Sequence, residues 1–435
     1  MRKLIISFGI FLAGVCLHSS ASAQSPCGVP ELTQCPEPID SNLPPVADML
    51  TWSQKDRVIG FRNDYRSYPG DVFKRATPAP FERNIKNLSA VSYELDGHKY
   101  SLEDYIKRND VTGLMIVKNG KVVMEYYGAG NTPTTLWTSR SVGKSVVSTL
   151  VGIALKEGKI GSLDDKIIKY NSDVADTAWA NVSIRDLLTH SSGVEWAESY
   201  TDPKSDFSKL TQCEAETGTY ACVHKLVINK DRKAYAKPGN VWSYSSGGAW
   251  LLGDTLEKAI GMPISAYLQQ KIWQPYGMTS DGVWQSYEVG KHDVGAHGFN
   301  ATLEDWAKFG EFILQNGTLP NGQSVLPDHW VQDASSWIKS KNSVTAEHPD
   351  GTYGYEWWNS SVPVNAKNVS PKTGLNSKDT LWALGIYGQI IVVNQKENIV
   401  FVEWSTWPDA NPSYNAQPLE ASLMFNAISN FLNGK

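Results

Sequence analysis

The spacing of apolar positions changes period several times along the chain, and each change predicts an element. Over residues 114–127 an apolar run, Asn119-Gly120 and a second apolar run follow one another. A turn dipeptide that accepts positive φ between β-rich flanks predicts a two-stranded hairpin. Over residues 141–158 the period becomes helical: Val147, Leu150, Val151, Ala154 and Leu155 share one face, and Gly158 can stop the helix. Residues 303–315 repeat the pattern with Leu303, Trp306, Phe309 and Ile313, an N-cap at Thr302 and a stop at Gly317. The apolar runs 381–393 and 399–405 flank a polar turn and predict strands; an amphipathic helix follows over 419–432. Strands at both ends around a helical middle predict a mixed α/β (α+β) class. The expected arrangement is one antiparallel sheet completed by N- and C-terminal segments and flanked by helices, with a mostly helical inserted subdomain over about residues 160–330.

The ends of the chain change this picture. Arg2 and Lys3, an apolar stretch over residues 4–17 and Ala21-Ser22-Ala23 have the form of a signal peptide spanning residues 1–23. The expected location is therefore exported, either periplasmic or secreted. Cys16 occupies a rough lipidation position, but Val15 before it is bulkier than such a site takes. Residues 24–57, with Pro30, Pro36, Pro38, Pro44 and Pro45, read as an irregular leader. Residues 58–435 then form the main domain.

Composition narrows the classes further. Of 435 residues, 41% are hydrophobic and 20% charged, which supports a large core and excludes a disordered chain. The net charge of −5, without a basic run, gives no footprint for nucleic acid or an anionic membrane surface. No second apolar stretch approaches the length of about 18 residues needed for stable membrane insertion. Beyond Cys16 the cysteines fall into two near pairs, Cys27 with Cys35 and Cys213 with Cys222, which predicts two local disulfides. Four-cysteine zinc spacing is absent, as are H-x-H and H-x-x-x-H pairs, so neither a metal nor another cofactor is expected.

Three segments carry chemistry. Ser141-Val142-Gly143-Lys144 is an S-x-x-K at a helix start, where a three-residue spacing puts hydroxyl and amine on one face. A lysine in a dry site can lose its proton near neutral pH and activate the hydroxyl, beside the positive end of the helix. Pro238-Gly239-Asn240-Val241-Trp242-Ser243-Tyr244-Ser245-Ser246 presents a phenol after a turn; Tyr244 can relay a proton and Ser246 can hydrogen-bond a substrate. Gly385-Ile386-Tyr387-Gly388-Gln389 brings glycines to the last strand pair, where the backbone N–H of Ile386 could join that of Ser141 as an oxyanion hole. A second S-x-x-K, Ser336-Trp337-Ile338-Lys339, has no partner motif after it and reads as surface helix.

These motifs, together with Ser183-Ile184-Arg185-Asp186-Leu187-Leu188-Thr189-His190-Ser191-Ser192-Gly193 and Gly298-Phe299-Asn300-Ala301-Thr302, resemble the serine β-lactamase and penicillin-binding-protein family. The nearest branch is that of class C-like esterases and 6-aminohexanoate-dimer hydrolases, and the resemblance spans about residues 58–432. It implies a β-lactamase/transpeptidase-like fold and an acyl-enzyme hydrolase acting on small esters or linear amides. Ser141 would be the nucleophile, Lys144 its base partner and Tyr244 the proton relay. Tyr200, Asn300, Trp358, Tyr387 and Ser246 would be substrate contacts.

Two departures bear on substrate choice. Lys372-Thr373-Gly374 matches the family's third signature literally but precedes the final strand pair, so it reads as coincidence. The cation that would hold a β-lactam carboxylate is then missing, which favours esters and amides over a β-lactamase or D-Ala-D-Ala peptidase activity. Tyr387 stands where this branch often has His, and Ser246 where a tyrosine motif often has Asn. An α/β-hydrolase would need a G-x-S-x-G elbow, which is absent. The rivals are a non-catalytic penicillin-binding-like protein, which intact Ser, Lys and Tyr oppose, and a carbohydrate-binding module suggested by the many tryptophans.

Overall fold

The computed structural model describes residues 27–32, 34–217, 220–335, 353–359, 380–410 and 417–435. The leader sequence 1–23, Ser336 to Lys339 and Lys372-Thr373-Gly374 lie outside the described residues.

The predicted hairpin forms two strands of the main sheet, near one edge. Strands Val111–Lys118 and Lys121–Tyr127 join through Asn119 and Gly120, both at positive φ (53° and 72°), as a tight hairpin turn requires. Eight strands line up in the order Tyr353–Gly354, Trp357–Trp358, Thr380–Gly385, Gln389–Asn394, Ile399–Ser405, Val111–Lys118, Lys121–Tyr127 and Glu82–Arg83. All pairings are antiparallel except the last. N- and C-terminal segments thus complete one sheet.

Alternation along these strands explains why they read as continuous apolar runs. Met115, Val117, Ile391, Val393, Val400 and Val402 enter the larger core, whereas Leu114, Ile116, Ile390, Val392, Ile399 and Phe401 enter a second one. Both sheet faces are therefore dry. The second core is closed by helix Gln417–Leu432, through Ala421, Met424, Phe425 and Ile428. The larger core is closed by Val142–Lys156 and Leu303–Leu314. Helix starts follow the predicted chemistry: Thr302 Oγ1 accepts the Asp305 N–H at 3.3 Å, one turn into Leu303–Leu314.

Two differences from expectation have local causes. The run over 381–393 is two strands, Thr380–Gly385 and Gln389–Asn394, because the chain reverses at Tyr387 (φ 63°) and Gly388 (φ 86°). A second sheet joins strands of the helical middle to earlier ones: Gly70–Phe73, Gly282–Glu288, Phe299–Ala301 and Trp137–Thr138 pair in that order. Its strands are short and cut by Gly290, Gly295 and Gly298, which leaves too few residues for a two-residue period to register.

Cys27 with Cys35 and Cys213 with Cys222 stand in disulfide contact, each pair with Cα atoms 5.6 Å apart. Among the described residues no group of His, Cys, Asp or Glu could hold a metal ion, and no helix is long and apolar enough to cross a membrane. Trp196, Trp242, Trp250, Trp357, Trp382, Trp404 and Trp407 are buried, so they form core rather than an aromatic platform for sugars.

Candidate active site

The nucleophile turn is built from both sheets. Strand Trp137–Thr138 leads into Ser139, whose N–H binds Phe299 O at 2.8 Å, and then into Arg140 at φ 45°. That left-handed residue is held by Asp64, which takes the Arg140 guanidinium at 3.2 Å and the Thr138 hydroxyl at 2.7 Å. Phe61 lies under the guanidinium at 4.9 Å. The turn ends at Ser141, the N-cap of helix Val142–Lys156, and its hydroxyl makes no capping bond. The hydroxyl instead meets Lys144, whose Nζ lies 2.8 Å from Ser141 Oγ and 3.0 Å from Ala296 O.

Lys144 is 2% exposed, and burial lowers its pKa from 10.5, against the pull of the Glu198, Glu356 and Glu214 carboxylates. Its Nζ donates to both the Ser141 hydroxyl and Ala296 O; once the amine has lost its proton, its lone pair can instead accept the Ser141 hydroxyl proton, as a general base does. Tyr244 faces the same amine, with its ring centre 5.3 Å from Nζ. Burial and the charge of Glu198 raise the pKa of its phenol well above 10, and a hydrogen bond with Ser141 works in the other direction. At neutral pH Tyr244 is therefore a phenol with a proton to give.

A small cavity of about 20 Å³ opens beside these groups, bounded by Ser141, Lys144, Ser246 and Ile386. Met49, Phe207 and Leu210 supply its apolar wall, and Glu214 and His297 a polar corner. Ile386 reaches the nucleophile because Gly385 has no side chain: a Cβ there would stand 2.6 Å from Ser139 O and 3.1 Å from Arg140 Cβ.

The other expected contacts divide. Ser246 lines the cavity, and its Oγ and N–H bind Glu198 at 2.7 and 2.9 Å. Tyr200 donates to the same carboxylate at 3.2 Å, and Trp358 stacks on Tyr244 with ring centres 5.7 Å apart. Asn300 lies elsewhere, fully buried in the second sheet with its amide on Gly298 O. Tyr387 turns away from the cavity as well: it is 1% exposed and donates to Leu50 O at 3.0 Å. Ile386 lines the cavity, whereas Tyr387, at φ 63° in the reversing turn, packs against Phe61 and Arg57. Sequence reasoning missed Glu198, Glu214, His297 and Glu356. They carry no spacing motif, and only the quoted loop through His190 pointed near them.

A family model described as Beta-lactamase matches residues 102–422, most of the domain that carries this geometry. The chain belongs to the beta-lactamase family. Within it, the chain is 23% identical over 349 residues to 6-aminohexanoate-dimer hydrolase of Paenarthrobacter ureafaciens, covering 78% of this chain and 83% of that protein. A match to Beta-lactamase of Providencia stuartii is 23% identical over 186 residues, 41% of this chain and 44% of that protein. Among solved structures, a candidate 6-aminohexanoate-dimer hydrolase from Bacillus anthracis superposes with TM-score 0.72 at 22% identity, over 87% of this chain and 94% of that one. A penicillin-binding protein homologue from Pyrococcus abyssi gives TM-score 0.55 at 19% identity, over 77% and 76%. These likenesses establish the beta-lactamase/transpeptidase-like fold.

Proposed function

We propose that the protein is an exported serine hydrolase that cleaves carboxylic esters or linear amides through an acyl-enzyme on Ser141. The observation that carries this reading is the buried Lys144 amine 2.8 Å from Ser141 Oγ. Lys144 takes the hydroxyl proton as Oγ attacks the carbonyl carbon. The backbone N–H groups of Ser141 and Ile386 receive the oxyanion, which develops where the cavity meets the helix N-terminus. Tyr244 gives its proton to the leaving alcohol or amine and is reprotonated through Lys144. In the second half-reaction the same pair activates water, and the acid leaves.

The charge of the cavity wall supports uncharged substrates. Glu214 borders it, and Arg140 is already paired with Asp64. A β-lactam brings a carboxylate of its own to such a wall, without a described cation to receive it. Linear amides are consistent with the activity for which the 6-aminohexanoate-dimer hydrolase relative is named. Export agrees with the two cysteine pairs in disulfide contact.

A hydrolysis panel tests the reading: p-nitrophenyl esters, a 6-aminohexanoate dimer, a D-Ala-D-Ala peptide and nitrocefin. The esters or the linear amide should show the highest kcat/KM. A higher kcat/KM for nitrocefin than for every ester and amide would make the protein a β-lactamase instead.

A further inference from the structure

A buried histidine and glutamate stand behind Tyr244, and the chemistry of Ser141, Lys144 and Tyr244 makes no use of either. His190 follows the short helix Ile184–Leu188 and its cap Thr189, in a left-handed conformation, φ 49°. Its carbonyl accepts the Ser243 N–H at 2.8 Å, and its Nδ1 accepts the Ser245 N–H at 2.9 Å. Its ring stacks on the Tyr244 ring, with centres 4.5 Å apart and planes 23° from parallel. One residue thus grips the peptide on each side of the tyrosine and one face of the phenol.

Because Nδ1 accepts a backbone N–H, the imidazole proton sits on Nε2, which donates to Glu356 Oε2 at 2.8 Å. The Tyr353 hydroxyl donates to the same oxygen at 2.5 Å. Side-chain exposure is 1% for His190 and 0% for Glu356. Glu356 also belongs to the framework of the nucleophile helix. Its carbonyl accepts the Ser145 hydroxyl, the Tyr355 carbonyl accepts the Ser148 hydroxyl, both at 2.6 Å, and its N–H binds Leu188 O at 2.9 Å. Tyr355 and Glu356 are left-handed too, at φ 45° and 60°. Three strained residues around a buried carboxylate are costly when apolar side chains could fill the same space, which points to a role in function.

We propose that His190 and Glu356 are positioning residues for Tyr244, locking its phenol in register with the helix that carries Ser141 and Lys144. The proposal rests on the catalytic reading of those three residues. Glu356 has a second effect through its charge. Lys144 faces the carboxylates of Glu198, Glu214 and Glu356, together with the Tyr244 phenol and the Ser141 hydroxyl. Each carboxylate favours the ammonium form, so removing one should let Lys144 lose its proton at lower pH.

The test is the pH dependence of kcat and KM for p-nitrophenyl butyrate with wild type, Ser141→Ala, His190→Ala, His190→Asn and Glu356→Gln. His190→Ala should lower kcat by about 30-fold or more with KM within about threefold. His190→Asn should recover about a third or more of the lost rate on a logarithmic scale, because the Asn Oδ1 can take the place of Nδ1 at the Ser245 N–H. Glu356→Gln keeps the acceptor and deletes the charge, so the acid limb of the profile should move down by about half a pH unit or more. Values of kcat within threefold of wild type in both His190 variants, or in His190→Asn alone if His190→Ala does not fold, would overturn the positioning role. An unmoved acid limb in Glu356→Gln would overturn the charge effect. Wild-type turnover in Ser141→Ala would sink the catalytic reading itself, whereas a dead Ser141→Ala beside unimpaired His190 variants sinks the positioning proposal alone.

Discussion

Gly385→Ala is the smallest change that should separate the last strand pair from the nucleophile turn. The added Cβ would stand 2.6 Å from Ser139 O, 2.9 Å from Gln389 Cβ and 3.1 Å from Arg140 Cβ. Two of these neighbours belong to the backbone turn that presents Ser141, and none is the loose end of a flexible side chain. Restoring ordinary contact with Ser139 O requires a separation of about 0.8 Å, which a close-packed interior does not absorb elsewhere. Ile386, the next residue, moves with its strand, and an oxyanion donor works only at about 2.7–3.1 Å. Complete loss of one such donor costs about 10²–10³ in kcat; a displacement of this size should cost about 100-fold, or about 2.7 kcal/mol of transition-state stabilisation.

Overpacking should also lower the unfolding free energy by about 1–3 kcal/mol. Gly158→Ala supplies the control. Gly158 has φ 72° at the far end of the nucleophile helix, and its Cβ would meet nothing within 4 Å. It should cost about 1–2 kcal/mol of stability through backbone strain and leave kcat unchanged. The assay is steady-state hydrolysis of a p-nitrophenyl ester well below the melting temperature, with urea melts for both variants. A Gly385→Ala enzyme with kcat within threefold of wild type would refute the assignment of Ile386 to the oxyanion hole.

Other consequences can be checked separately. Non-reducing peptide mapping of exported protein should return the pairs Cys27–Cys35 and Cys213–Cys222; free thiols or long-range cross-links would contradict them. Glu257, buried with its pKa pushed up to about 8 from 4.5, stays protonated in the folded chain where the unfolded chain has ionised. Its contribution to stability is therefore full at or below pH 4.5 and is lost as pH rises toward 8. Urea melts across that range should show wild type losing stability relative to Glu257→Gln; a pH-independent difference would contradict the assignment. Lys372→Ala should change kcat/KM less than about threefold, roughly 0.6 kcal/mol. A tenfold loss confined to carboxylate-bearing substrates would make Lys372-Thr373-Gly374 the true third motif.

What the sequence made legible were features carried by local spacing. Asn119-Gly120 announces its hairpin because few dipeptides accept two positive φ values, and S-x-x-K announces its pair because three residues make nearly one helical turn. Thr302 and the stripe through Trp306 and Phe309 define their helix for the same reason. The second sheet was not legible, because its strands are only two to seven residues long and draw partners from positions as distant as Gly70 and Gln285. The support of Tyr244 was hidden likewise. His190 and Glu356 are separated by 166 residues, and neither belongs to a periodic pattern. Tyr387 illustrates a different limit: Gly385 to Gln389 could be assigned to the site, but a side chain in a reversing turn faces the cavity or the core according to φ values that sequence does not print.

Labelling of the nucleophile tests the central claim most directly. Wild-type protein would be incubated with a fluorophosphonate, its intact mass measured, and the modified peptide sequenced, with Ser141→Ala and Ser336→Ala treated in parallel. One adduct per chain on Ser141, abolished in Ser141→Ala and retained in Ser336→Ala, is the expected result. An adduct on Ser336, or no adduct on protein that is folded and hydrolysing ester, would contradict the assignment of Ser141 and Lys144 as the reacting pair.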